Sequence, residues 1–408
     1  MKIYTKSTIT ASLLLAFVCA TVVAVVSVAV STQTGPAGKA RQEIVSAEDR
    51  LVVHEWGTFT SIAGKDGVAL EWRPLNGSSD LPKFVHTIGN RGPGLRHQPT
   101  KGEMSTLIRM ETPVLFFYSE NETEVSVKVE FPRGKITEWY PQARSVGTDI
   151  DWGQIKVMPG AALNLPVDNS DSHYYPARET DAAPVQVCGT GNKPDQQEKF
   201  LFYRGVGNFE LPLSARLVDN KIILKNTGAE QIARVIVFEN RNGKIGYRIY
   251  DSFSGEMTDA RPTLDQKLDS LVPELKQAIM ATGLYEKEAD AMIKTWRSSW
   301  FEPGMRVFYV LPRPTIDTVL PITITPQPAE LVRVLIGRAE IITPEMEKTV
   351  QRQVSLLDDK SPQVREAAME TIRKYGRFYE PILKSTLQHE TDPAIRRQLT
   401  RLIEAERP

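Results

Sequence analysis

Cysteine is the first shortage: the 408 residues hold only two, Cys19 and Cys188. That excludes a disulfide-built scaffold and a Cys-rich zinc module. An excess of either charge is also missing. Lys+Arg 50 stands against Asp+Glu 50, so the chain offers no global field to a nucleic acid, and none is expected as a partner. Several catalytic signatures are absent too. No Gly-x-Ser-x-Gly element marks a serine hydrolase. The glycine-rich run at 89–94 lacks the Lys-Ser/Thr ending and the following helix of a phosphate loop. His54-Glu55 looks like half of a zinc-protease helix, but Thr58 stands where the second histidine belongs, and the flanks read as strand.

What is present is an ordinary globular composition, 41% hydrophobic and 25% charged, which excludes a wholly disordered chain. The length suggests two or three domains. Residues 11–30 form an uncharged run of the length needed to cross a bilayer as a helix. Lys2 and Lys6 precede it, which puts the N-terminus inside and the bulk outside the cytoplasmic membrane. Residues 1–30 are therefore expected to be a signal anchor that contacts the membrane through 11–30. A cleaved signal peptide, with release to the periplasm, is the alternative. A flexible spacer is expected over 31–49. Cys188 is then the only exported thiol, and it reads as a small buried hydrophobe at a strand end.

Period two dominates residues 51–250. In 124–131, Val125, Val127, Val129 and Phe131 share one face and polar residues the other. Similar runs at 52–62, 113–118, 154–158, 200–204, 221–225, 232–239 and 245–250 are separated by turn signals such as Asn242-Gly243. They predict a mainly β, antiparallel β-sandwich-like fold. Within 52–62, Trp56 and Phe59 face opposite ways, so both faces need cover; His54 and Glu55 diverge for the same reason. Residues 165–198 are rich in Pro, Asp, Ser and Gly and read as disordered or as a working loop. Over 263–300 the period becomes helical, with Pro273 as a kink and Gly283 as a stop. β character returns at 306–311, 321–325 and 331–336. The expected exported body is thus β-rich over 50–343, with an inserted helical pair at 263–300.

Residues 344–408 are helical and repetitive. Ser361-Pro362-Gln363-Val364-Arg365 recurs as Asp392-Pro393-Ala394-Ile395-Arg396, each with an N-cap residue followed by Pro at the first helical position. This resembles the HEAT-like repeats of the short bacterial type, which implies protein contacts for the tail. Two copies cannot bury their own core. The end carrying Met346, Val350 and Val354 should therefore pack on the β body near 333–342.

Other segments carry a second resemblance. Val53-His54-Glu55-Trp56-Gly57-Thr58-Phe59-Thr60, Arg109-Met110-Glu111-Thr112-Pro113-Val114 and Ile136-Thr137-Glu138-Trp139-Tyr140-Pro141 are similar to signatures of a family of exported bacterial β-rich proteins. Further matches lie at 177–182, 199–205, 299–304 and 334–338. The resemblance implies one long β-rich exported unit and carries over no catalytic residue.

The densest polar-aromatic cluster is His173, Tyr174, Tyr175, Arg178, Glu179 and Asp181. Aromatic faces beside carboxylates and an arginine suit a sugar or a peptide, and equally a solvated loop pinned by ion pairs. A metal site assembled from distant residues would draw on His54, His86 and His97. The identity of any cofactor is unknown from the sequence. The function expected is a membrane-anchored extracytoplasmic binding or scaffold protein with a tail for protein contacts. The alternative is an extracytoplasmic hydrolase, metal-dependent in one version, with a loop-built active site.

Overall fold

Strand β1 (Val52–Ala63) is buried at every position, and that requirement for cover on both faces organises the molecule. In chain order follow β2 (His86–Thr87), β3 (Ile108–Tyr118), β4 (Thr123–Glu130), β5 (Gly134–Tyr140), β6 (Ser145–Val146), β7 (Asp149–Val157) and β8 (Val185–Val187). Next come β9 (Gln196–Glu198), β10 (Leu201–Gly207), β11 (Leu213–Val218), β12 (Lys221–Asn226), β13 (Val235–Arg241), β14 (Lys244–Tyr250) and β15 (Glu256–Ala260). Helices α1 (Leu268–Met280) and α2 (Glu286–Trp300) precede β16 (Gly304–Val310), α3 (Arg313–Val319), β17 (Ile322–Thr325) and β18 (Glu330–Ile341). Four tail helices follow: α4 (Pro344–Ser355), α5 (Pro362–Arg373), α6 (Tyr379–His389) and α7 (Pro393–Ala405). This computed structural model describes residues 50–75, 80–89, 101–189 and 194–405. The expected anchor and spacer, and His97, lie outside them. No helix among the described residues is long and apolar enough to cross a membrane.

The strands form a nine-stranded sheet in the order β14-β13-β16-β18-β1-β3-β10-β5-β2, a six-stranded sheet and a three-stranded sheet. One face of the large sheet packs on the two smaller ones. Phe59, Leu115 and Tyr203 meet Val127 and Ile155 of the second sheet and Ile222 and Leu224 of the third in a single apolar core. The expectation of an antiparallel sandwich needs two corrections. β1 and β18 run parallel, with Trp56 opposite Val334; they lie far apart in sequence, so no hairpin dictates their direction. The opposite face of the large sheet is covered as well, by α1 and α2. Leu271, Leu275, Ile279, Met292 and Trp296 press there on Trp56, Phe116, Phe202 and Phe308. The helical pair is therefore a third layer. α1 starts at Leu268, later than its apolar spacing suggests, and runs through Pro273. Gly283, at φ 106°, makes the turn into α2.

The tail helices share a further core with the β body. Val350, Val354, Ile382 and Leu399 gather around Ile62, Trp72 and Ile342, as the unpartnered end of the repeats requires. Lys65–Glu347 at 2.6 Å and Arg73–Glu380 at 2.7 Å tie the seam. Cys188 corrects its sequence reading: it lies just beyond β8 and is exposed, because the strand ends one residue before it.

Candidate polar binding centre on the helix-covered face

Beyond Trp56 the helix-covered face of the large sheet changes from apolar to polar. In the strand register Thr58 stands opposite Glu111, and Thr60 opposite Arg109 on one side and Arg338 on the other. Arg204 stands opposite Glu138. Two irregularities aim these residues. β1 and β3 slip register between Trp56 and Thr58, where a Cβ on Gly57 would lie 3.0 Å from Pro113. β10 slips beside Gly205, where a Cβ would lie 2.3 Å from the Lys135 carbonyl. Bulges of this kind redirect side chains at strand ends and beside sites. Thr112 is held at φ 48°, a left-handed backbone that costs a non-glycine residue about 1–3 kcal/mol and is tolerated where neighbours enforce it.

The contacts form a continuous network. Arg204 grips Asp80 Oδ1 through Nη1 and Nη2 at 2.9 and 2.7 Å, and Arg109 reaches Oδ2 at 3.4 Å. Glu111 accepts from the Thr60 hydroxyl at 3.0 Å and lies 3.2 Å from Arg109 Nε. Lys101 and the Thr137 hydroxyl both meet Glu138. On the other flank Arg338 bridges Glu340 at 2.5 Å and Glu302 at 2.8 Å. Arg306 holds Glu340 at 2.9 Å and the carbonyls of Trp300, Glu302 and Pro303. His173 lies over Trp296 with ring centroids 5.0 Å apart, its Nε2 3.9 Å from Asp80.

This environment shifts proton affinities. Burial, reinforced by the Arg204 charge, pushes His173 down to about 4, so at neutral pH it carries no charge and makes no ion pair with Asp80. Burial and the same arginine bring Lys101 down to about 8. Burial pushes the Asp80 carboxyl up, but Arg204 and Arg109 outweigh it and hold the group well below the usual carboxylate range.

Amid this pairing a set of buried polar atoms has no partner: the hydroxyls of Thr58 and Thr112, the indole N–H of Trp56, Trp296 and Trp300, Arg204 Nε and His173 Nε2. Buried donors are almost always satisfied in folded proteins, by protein, water or ligand. Most of these orphans are pure donors, so their chemical complement is an acceptor oxygen. Formal charges in the network balance, with Lys101, Arg109, Arg204, Arg306 and Arg338 against Asp80, Glu111, Glu138, Glu302 and Glu340. The centre thus offers directional hydrogen bonds in place of a net field.

Of the cluster expected from sequence, only His173 enters this centre. Tyr174 is buried and donates to Glu198 at 3.0 Å, and Arg178 pairs with the same carboxylate at 2.6 Å. Tyr175 donates to Asp168 at 2.7 Å. Glu179 and Asp181 form exposed pairs with Lys294 and Lys287 of α2, each at 2.5 Å. Around the short turn Tyr175–Arg178 the guanidinium of Arg178 lies 5.6 and 5.1 Å from the Tyr174 and Tyr175 ring centroids, so these three side chains converge apart from the polar centre while Glu179 and Asp181 turn to the surface. The histidines named for a metal do not meet: His54 pairs with Glu288 at 2.7 Å inside the helix layer, whereas His86 lies 3.3 Å from Gln196. Among the described residues no group of three His, Cys, Asp or Glu side chains is placed to hold a metal ion. Compared with known proteins, the chain matches no family model and no curated relative.

Proposed function

We propose that the chain is an exported binding protein, held at the outer face of the cytoplasmic membrane through residues 11–30, whose polar centre takes up a small oxygen-rich ligand of saccharide type. One observation carries the proposal: buried donors on Thr58, Trp296, Trp300 and Arg204 stand unpartnered among fully paired charges. Arginine and carboxylate pairs read vicinal hydroxyls by matched donors and acceptors, and an aromatic wall receives the apolar face of a sugar ring. The HEAT-like tail supplies protein contacts.

Thr58→Val supplies the test, because it replaces the orphan hydroxyl by a methyl of similar size. Removing a buried unpaired hydroxyl raises stability by about 1 kcal/mol in the ligand-free protein. The same change removes the thermal stabilisation conferred by neutral oligosaccharides or uronic acids on the full-length protein. A variant destabilised by 1 kcal/mol or more, or a wild-type protein that no member of that panel stabilises, rules the proposal out.

A further inference from the structure

A second cleft lies away from the polar centre, at the start of β1 and the end of β3. It encloses about 660 Å³ and is lined by Val52, Tyr118, Leu163, Lys199 and Tyr285, among others. That volume is within the range of small-ligand sites. Tyr285 and Leu163 are two of the few large apolar side chains the surface exposes. The rings of Tyr118 and Tyr285 meet edge to face, 4.9 Å apart at 80°, and both pack on the His54 ring, at 5.2 and 4.5 Å.

Behind this aromatic pair sits Glu288, fully buried. Its Oε2 takes both bonds available, from His54 Nδ1 at 2.7 Å and from the Tyr285 backbone N–H at 2.8 Å. The Tyr118 hydroxyl is directed at the same carboxylate. Burial and the nearby Glu288 carboxylate push the Tyr118 phenol far above its ordinary range, so the hydroxyl stays protonated. The cations at the rim are answered by acids. Arg50 pairs with Glu330 at 2.9 Å, and Lys199, which donates to the Ala182 carbonyl at 2.5 Å, lies in the field of Asp181 on the same lining. Glu120 adds another acid to the lining.

We infer that this cleft binds an organic cation, an ammonium or guanidinium group on an aliphatic stem such as a lysine or arginine side chain. The cation lies against the Tyr118 and Tyr285 rings and its charge is answered by Glu288 through the Tyr118 hydroxyl. Aromatic faces attract cations more strongly as water is excluded, and a phenol that donates to a buried carboxylate turns its oxygen lone pairs outward to accept from a cation. The apolar wall at Val52 and Leu163 accommodates the stem.

The test titrates full-length protein with N-acetyl-lysinamide and with its norleucine analogue, which keeps the stem and lacks the ammonium, by calorimetry. The lysine compound binds saturably and the norleucine compound at least tenfold more weakly. Tyr285→Ala lowers the lysine affinity at least tenfold, whereas Tyr285→Phe retains it; the half-exposed position makes both variants safe for folding. Equal binding of the two compounds, no binding of the lysine compound, or unchanged affinity in Tyr285→Ala each overturns the inference.

Discussion

At the scale of the residue, His173 couples the polar centre to pH. Its folded pKa of about 4 lies below its ordinary 6.5, so folding favours the neutral ring. The unfolded chain therefore takes up the proton first as pH falls. Stability from this group is complete above about pH 6.5, declines between 6.5 and 4, and is fully lost below 4. The loss is bounded at about 3 kcal/mol from the size of the shift. Asp80 works in a separate window: its depressed carboxyl holds stability at pH above its ordinary 3.8 and loses it only on further acidification. We expect the urea midpoint of the wild-type protein to fall between pH 7 and pH 4.5, and His173→Gln to flatten that slope while leaving the fall below pH 4. An equal slope in both proteins would show that the ring titrates normally.

At the scale of the element, the two repeat turns are unequal where their sequences look equivalent. Asp392 Oδ1 accepts from the backbone N–H of Ala394 at 2.7 Å and of Ile395 at 3.4 Å, which caps α7. Ser361 spends its hydroxyl on Gln363 and leaves α5 without a side-chain cap. The arginine at the fourth helical position does the same work in both copies. Arg365 donates to the Asp359 carbonyl at 2.7 Å, and Arg396 to those of Glu390 and Leu387 at 2.7 and 2.8 Å. Asp392→Ala should cost about 1 kcal/mol and Ser361→Ala only a few tenths, read from denaturation midpoints; equal costs would contradict the capping geometry. Elements with clean periodicity were legible from sequence: β4 alternates apolar and polar residues, and α2 repeats every third or fourth. β5 was not, because Thr137 and Glu138 are buried polar residues that break the alternation. The polar centre escaped for a related reason. Arg109, Glu111, Arg204 and Arg338 sit on strands buried on both faces, and local sequence does not distinguish a buried charge from a solvated one. Charged residues inside otherwise apolar strands were the available signal. The loop cluster around His173 drew attention by density, although most of its members serve packing and surface ion pairs.

At the scale of the whole molecule, the tail is a structural partner of the β body. Ile62 and Ile342, the residues ending or following the central parallel pair β1 and β18, are covered by α4 to α7 together with Trp72. The seam also neutralises Arg73, which is nearly buried against Glu380. Removing residues 344–408 would bare this apolar patch and take Glu380 away from Arg73. The bulk of the sheet would persist, because the two cores on either side of the large sheet contain no tail residue. We therefore expect the truncated protein to keep its far-ultraviolet strand signal while losing solubility and thermal stability, and to bind hydrophobic dyes that the full chain excludes. Charge substitutions at Ile62 and Ile342 should recover the solubility of the truncated form, since they make the bared patch polar without altering either remaining core. A truncated protein as soluble and heat-stable as the parent would mean that the seam contributes no net stability and that the tail behaves as an independent arm.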